Sequence, residues 1–212
     1  MHLQSQMPME TAEPVRQVPA GQIKIENALR TLLEEKDFNS ITTAEIARTS
    51  GVNEALIYRY FKDKRGLLHQ VLANDLKRFV YQIGLELEGK ISALDKLRSL
   101  IHLHFHYYAE NRIFAKILLL EVRNYPAYYE SETYKIIQDY SKMILEIIQT
   151  GVKNEEIKKH MDSNAIRQAI LGGVEHMCLP GVIFGGPIPA DQYADDLFEI
   201  ISKGIAASSA DT

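Results

Sequence analysis

From Ile23 onward, apolar residues recur at helical intervals. Ile25, Ala28, Leu29, Leu32 and Leu33 share one side of a helix ending near Asp37, and Phe38 and Ile41 mark a short packed connection. The run TTAEIARTSG follows. Thr42 to Glu45 reads as a capping box, with Thr42 as the N-cap and Glu45 reaching back, and Gly51 can take the left-handed conformation that closes a short helix. Asn53 is a good N-cap for a second short helix, 54–60, and Asp63 for a longer one, about 64–88. That longer helix carries Leu67, Leu68, Val71, Leu72, Leu76, Phe79, Val80 and Ile83 along one side. The segment IHLHFHYY, 101–108, alternates with the period of a strand. Leu94, Leu97, Ile101, Phe105 and Tyr108 nevertheless step by 3, 4, 4 and 3, and no turn residues bracket the run, so a helix is predicted. Further helices are predicted at about 112–124, 128–153, 163–180 and 190–206, joined by a charged connector at 154–160 and a Gly/Pro-rich one at 180–189. The chain reads as all-α, without internal repeats.

The last two predicted helices are apolar on more than one side. Over 163–180, Ile166, Ile170, Gly173 and Met177 form one stripe, and Ala165, Ala169, Gly172, His176 and Leu179 another. Over 190–206, Leu197, Phe198, Ile200, Ile201 and Ile205 spread around much of the circumference. One stripe must face its own domain, and the other needs a second partner. A central helix of a single monomer would satisfy both. A bundle of this size has little room for two such helices, which favours a four-helix interface with a second copy. The residues expected there are Ile166, Ala169, Ile170, Gly173, Met177, Leu197 and Ile201, the small ones allowing close approach.

Composition sharpens the picture. At 212 residues with 46% hydrophobic side chains the chain can bury a sizeable core. Cys178 is the single cysteine, which excludes an intrachain disulfide and suits a reducing cytoplasm. No segment approaches the length of apolar chain that spans a membrane, and residues 1–19 read as a flexible tail rather than a signal peptide. The formal net charge of −4 is unevenly distributed. Between 48 and 65, Arg48, Arg59, Lys62, Lys64 and Arg65 stand against Glu54 and Asp63, or 5 − 2 = +3. A local basic patch of this kind can attract phosphate even on an acidic protein.

Ala47 and Gly51, four apart amid Ile46, Val52 and Ile57, give the packing pattern of a helix-turn-helix. Helix 54–60 then points Ile57 and Phe61 inward and leaves Glu54, Ala55, Tyr58, Arg59 and Tyr60 largely exposed to meet DNA. Tyrosine suits that task, offering a hydroxyl to phosphate oxygens and a ring to sugar or thymine methyl groups.

At this point the stretch ITTAEIARTSGVNEALIYRYFKDKRGLLHQVL resembles the DNA-binding domain of the TetR family of bacterial one-component regulators. The likeness lies in the Thr-Thr opening, the Ala…Gly-Val turn, the Tyr-x-Tyr-Phe ending and the Lys-Asp-Lys start of the next helix, and it covers about residues 20–80. It implies a DNA-binding domain over 20–66 and an effector-binding and dimerisation domain over 67–212. It implies phosphate contacts from Thr43, Tyr58, Tyr60 and Lys64, with Thr42 and Thr43 at a helix N-terminus that itself favours phosphate. Base contacts are implied for Ala44, Glu54, Ala55 and Leu56. Three positions depart from the family pattern. Leu56 stands where Thr, Ser or Ala is usual, Glu54 where a basic or neutral polar residue is frequent, and Gly66 where an acidic residue is usual, which predicts a weaker cap.

The resemblance also implies a small-molecule effector that shifts the separation of two reading heads in a homodimer. Tyr107, Phe114, Leu118, Glu121, Tyr125 and Tyr140 could line its pocket or belong to plain core. The segments LLLEVRNYP and LGGVEHM are faintly similar to the fatty-acid-responsive branch, whose effectors are long-chain acyl-CoA thioesters. His102 and His106 sit i,i+4 on one helix face, but no acidic residue or cysteine nearby in sequence completes a set and His104 faces away, so no metal or other cofactor is expected. Nor is an enzyme: there is no phosphate-binding Gly-rich loop and no nucleophile–base arrangement, Cys178 and His176 lying on different sides of their helix. The sequence therefore reads as a ligand-responsive repressor of a palindromic double-stranded operator. A helical adaptor without DNA binding, or an activator, is the alternative. On this reading Lys64→Ala weakens binding to all DNA sequences and lowers the salt slope by about one.

Overall fold

In the computed structural model, which describes residues 18–206, the first apolar stripe becomes α1 (Ala20–Glu35), with Ile25, Ala28, Leu29, Leu32 and Leu33 buried. The tail expected at 1–19 lies outside the described residues except for Val18 and Pro19. Helix α2 (Thr43–Ser50) opens on the anticipated capping box. Thr42 Oγ1 accepts from the Glu45 N–H at 3.1 Å, and Glu45 Oε2 accepts from the Thr42 N–H at 3.0 Å. Gly51, at φ +66, closes it. Asn53 Oδ1 accepts from the Ala55 N–H at 2.8 Å to start α3 (Ala55–Phe61), and Asp63 accepts from the Gly66 N–H at 2.7 Å to start α4 (Lys64–Leu87). Ile41, Ile46 and Ile57 fill the core between these helices.

Helix α4 continues into a second bundle made with α5 (Ala93–Glu110), α7 (Glu132–Lys153), α8 (Ser163–Phe184) and α9 (Ala190–Ile205). The alternating segment 101–108 is helical, and Ile101, His104, Phe105 and Tyr108 point inward from α5. Helix α5 packs chiefly on α9, and α4 on α7. No strand occurs among the described residues, where pairing is limited to an isolated bridge from Ile157 to Ala206. None of the described helices is long and apolar enough to cross a membrane.

Three predicted helices differ from the structure. The segment expected as one helix over 112–124 is divided: α6 (Arg112–Lys116) passes into a π-turn at Ile117–Glu121 and then into 3-10 turns at Val122–Asn124 and Pro126–Glu130. Helix α7 consequently begins at Glu132, capped by Ser131, and not near 128. Helix α8 does not stop at Pro180 but runs to Phe184, where Gly185 at φ +74 ends it. Proline deprives the carbonyl of His176 of its helical partner, but both residues lie on the exposed side, so that carbonyl opens to solvent.

Gly66 also reads differently in three dimensions. The turn before α4 passes through Lys62 at φ +71, and a Cβ at position 66 would sit 1.9 Å from the Phe61 carbonyl oxygen. The glycine is thus required by the close approach of backbone rather than being a weak cap alone. Gly66→Ala should displace this turn and cost about 2 kcal/mol in urea denaturation. An alanine variant as stable as the parent would contradict the close approach.

Candidate nucleic-acid interface and effector cavity

Helices α2 and α3 bring Thr42, Ala44, Ala55, Tyr58 and Arg59 to the surface together. Tyr58 is 52% exposed, and its hydroxyl stands 3.4 Å from Thr43 Oγ1. This hydroxyl pair joins the two helices of the motif along one polar edge, with Glu54 half-buried beside it. Arg59 and Lys62 are exposed cations on the same helix and its C-cap. Leu56 and Tyr60 turn elsewhere. Both are half-buried, and a Cβ placed on Gly21 would meet Leu56 Cδ1 and the Tyr60 ring at 3.7 Å. They brace α3 against the first turn of α1, so the exposure expected of Tyr60 is not what the packing gives.

Lys64 departs furthest from its expected role. Its Nζ donates to the carbonyls of Phe38 at 2.9 Å and Ile41 at 2.6 Å, and lies 4.4 Å from the Phe38 ring centroid. Burial lowers the pKa of this ammonium from the ordinary lysine value; Arg65 adds to the effect and Glu121 opposes it. The side chain ties the α1–α2 connection to the start of α4 and does not stand free for phosphate. Sequence spacing could not reveal those carbonyls, which come from residues more than twenty positions away.

The six residues expected to line an effector pocket separate into two groups in the second domain. Tyr107, Leu118 and Tyr140 line a small cavity of about 50 Å³. Phe114, Glu121 and Tyr125 do not. Phe114 lies beneath the Arg30 guanidinium at 4.9 Å, Glu121 accepts from Asn39 Nδ2 at 3.1 Å, and Tyr125 stacks under Arg65 at 3.2 Å. The π-turn at Ile117–Glu121 changes the phase of the residues after it, Tyr125 among them, whereas Phe114 lies before it on α6 and faces Arg30 from there. These three residues therefore form the junction with the helix-turn-helix domain, beside a groove of about 620 Å³ between Leu33–Ser40 and Ile113–Glu121.

Other cavity residues escaped the sequence reading. Phe79 stacks on Tyr107 with centroids 4.4 Å apart and meets Tyr140 edge-on at 5.5 Å. The Tyr140 hydroxyl and His104 Nδ1 are 3.1 Å apart. Burial pushes the His104 imidazole from 6.5 down to about 3 and the Tyr140 phenol well above its ordinary value, so both are neutral and the phenol is the donor. Arg123 donates to both carboxylate oxygens of Glu175, at 2.6 and 3.0 Å, and that hydrogen bonding raises the guanidinium pKa further. The available signal was Arg123 in LLLEVRNYP and Glu175 in LGGVEHM, charged residues within largely apolar runs.

The residues expected between two copies divide similarly. Ile166, Ile170 and Leu197 are buried in their own monomer, and Gly173 is where Leu197 presses: a Cβ there would lie 2.8 Å from Leu197 Cδ1. Met177 and Ile201 are half-buried, and Ala169 alone of the set is fully exposed. The outward apolar stripe is instead the second one, with Ala165, Ala169, Gly172 and His176 continued by Ile183 and Phe184 on α8 and Ile200 on α9. Two stripes on one helix are distinguishable by period, but which faces inward depends on where α9 crosses. Finally, carboxylates reach His102 and His106 from α9: Asp195 Oδ1 is 3.1 Å from His102 Nε2, and Asp191 Oδ1 is 2.8 Å from His106 Nε2.

Comparison with known proteins agrees with this architecture. Residues 25–71 match the family model described as bacterial regulatory proteins, tetR family, and residues 72–204 the model described as YsiA-like protein, C-terminal region. The fatty acid metabolism regulator protein of Bacillus subtilis (strain 168) is 24% identical over 183 residues, spanning 86% of this chain and 94% of that protein. The HTH-type transcriptional repressor KstR2 of Mycolicibacterium smegmatis is 23% identical over 186 residues, or 85% of this chain and 88% of the relative. Among solved structures, the transcriptional regulator FadR from Bacillus subtilis in complex with stearoyl-CoA aligns with a TM-score of 0.78 at 23% identity, covering 86% of this chain and 98% of that one.

Two outcomes follow from the side-chain geometry. Lys64→Ala should cost about 1–3 kcal/mol in chemical denaturation through the lost charged hydrogen bonds, while the salt slope of DNA binding responds to Arg59→Ala. A stable Lys64→Ala protein with a reduced slope would restore the phosphate role. His104 stays neutral when folded but is protonated in the unfolded chain below about pH 6.5, so acid draws the protein toward unfolding. At pH 5 this effect amounts to about 2 kcal/mol relative to pH 7. A His104→Gln variant should lack that part of the acid loss when pH-dependent denaturation curves are compared.

Proposed function

Because this chain belongs to the TetR family of bacterial regulatory proteins and is a transcriptional regulator, not an enzyme, we propose that it represses transcription as a dimer on a palindromic operator. Its effector on this reading is a hydrophobic molecule of the long-chain acyl-CoA class, whose binding releases DNA. The observation that carries the proposal is the position of the cavity: Phe79 of α4 and Tyr107 of α5 stack across it, and α4 runs on into the helix-turn-helix domain. At about 50 Å³ the cavity is far below the roughly 300–1,000 Å³ of ligand sites, so an acyl chain has to part that stack and move α4. The likeness of the fold to a regulator held with stearoyl-CoA supports the ligand class.

DNA contacts are assigned to Thr42, Thr43, Ala44, Glu54, Ala55, Tyr58 and Arg59, which share the exposed edge of α2 and α3. The homodimer is assigned to the outward stripe of α8 with α9, where Phe184 is 83% and Ile200 69% exposed. Small residues at Ala165, Ala169 and Gly172 let a second helix approach closely. Two such copies read half-sites when their recognition helices lie about 34–36 Å apart, so a modest movement of α4 suffices for release.

Selection of genomic fragments with the purified protein should enrich a palindrome, and mobility shifts on it should be lost in Tyr58→Ala. Stearoyl-CoA at micromolar concentration should dissociate that complex, whereas CoA alone should not. Absence of calorimetric heat with any long-chain acyl-CoA sinks the effector assignment. Ala169→Arg should convert the dimer to a folded monomer in light scattering, and a variant that stays dimeric removes the interface assignment.

A further inference from the structure

We propose that the seam between α5 and α9 is a binding site for a divalent transition-metal ion of zinc-like chemistry, held by His102, His106 and Asp191 with Asp195 as the fourth ligand. The two histidines are one turn apart on α5, and the two aspartates one turn apart on α9. Opposing i,i+4 pairs face one another across the seam, and both imidazoles aim Nε2 at a carboxylate. Paired histidines at this spacing on one helix face are a recurrent metal-holding arrangement. One donor atom each from His102, His106 and Asp191 lies within 4.8 Å of the others. A tetrahedral ion with bonds of about 2.0–2.2 Å sets its ligand atoms roughly 3.3 Å apart, so closing the site takes side-chain movements on the order of 1 Å. The Asp191 side chain is 81% exposed and free to make that rotation.

The donor set decides the ion. Two imidazoles with two carboxylates suit zinc, cobalt or nickel, whereas magnesium and calcium take all-oxygen shells. The neighbouring charges are Arg98, 3.6 Å from Asp195, and Glu110, 3.9 Å from His106 Nδ1. Glu110 stands on the ring nitrogen that stays free when Nε2 ligates, the position from which a carboxylate orients a metal-bound histidine. Arg98 competes for Asp195 but also rests 5.0 Å from the Phe198 ring, which keeps it in place when the carboxylate turns away. A bound ion pins the first turn of α9 to the middle of α5, whose other face carries His104 and Tyr108 into the core. The ion thereby stiffens one wall of the cavity.

The test uses untagged, full-length protein freed of metal with a chelator. Cobalt chloride should give the visible absorption of a tetrahedral site, saturating at about one equivalent per chain, and zinc chloride should raise the melting temperature by several degrees. Both responses should vanish in a His102→Ala/His106→Ala variant and weaken in Asp191→Asn. These side chains lie at the surface, so circular dichroism should show both variants folded. Absence of saturable binding overturns the proposal, and so does binding that persists in the double-histidine variant, which places the ion on other side chains such as His160 or His176. These readouts involve neither DNA nor effector, so failure here leaves the repressor reading standing, and loss of that reading leaves the site standing.

Discussion

Helix α4 is buried from Leu67 to Ile83 in one continuous hydrophobic core that joins the helix-turn-helix to the second bundle, and the rest of the fold depends on this shared burial. Leu67, Leu68 and Val71 are sealed against α1 and α3, and Phe79 and Ile83 against the second bundle. Packed interiors transmit displacement because they have no free volume in which to absorb it. Displacement of Phe79 is therefore opposed by packing along α4 back to Leu67. Polar ties reinforce the coupling: Arg30 donates to the buried Asp75 at 2.6 Å, Arg78 pairs with the same carboxylate, and Lys64 binds the carbonyls of Phe38 and Ile41.

The junction is built differently from that core. Lys116 reaches Asp37 at 3.0 Å, Asn39 reaches Glu121, and Arg65 lies over Tyr125. The first two lie at the exposed surface, where such contacts are individually weak, so they set orientation more than stability. Behind them the cavity is lined by aromatic stacking and by two polar pairs, Tyr140 with His104 and Arg123 with Glu175. Both pairs satisfy their polar groups internally, so separating either one costs the hydrogen bonds it now makes.

Much of this was legible in the chain because it depends on near neighbours. Helical spacing identified nearly every helix, including the one over 101–108 that alternates like a strand. The capping box of Thr42 and Glu45, the turn at Gly51 and the cap at Asp63 are interactions within three or four residues and form as read, while Asn53 accepts from Ala55 one residue ahead of the N-cap, Glu54. The helix-turn-helix motif is of the same kind, since its glycine, small residue and inward side chains all lie within twenty positions.

What only the tertiary structure decided is where distant residues meet. The π-turn at Ile117–Glu121 rephased the segment after it, placing Phe114, Glu121 and Tyr125 at the junction and leaving Tyr107, Leu118 and Tyr140 in the cavity. The crossing of α9 over Gly173 chose which stripe of α8 is core, turning Ile166 and Ile170 inward and Ala165, Ala169 and Gly172 outward. Lys64 found backbone acceptors on another element, and His102 and His106 found carboxylates some ninety residues away. Periodicity fixes which side chains share a face, because that follows from the pitch of a helix. It cannot say what the face will meet, because that is settled by how all the helices pack together.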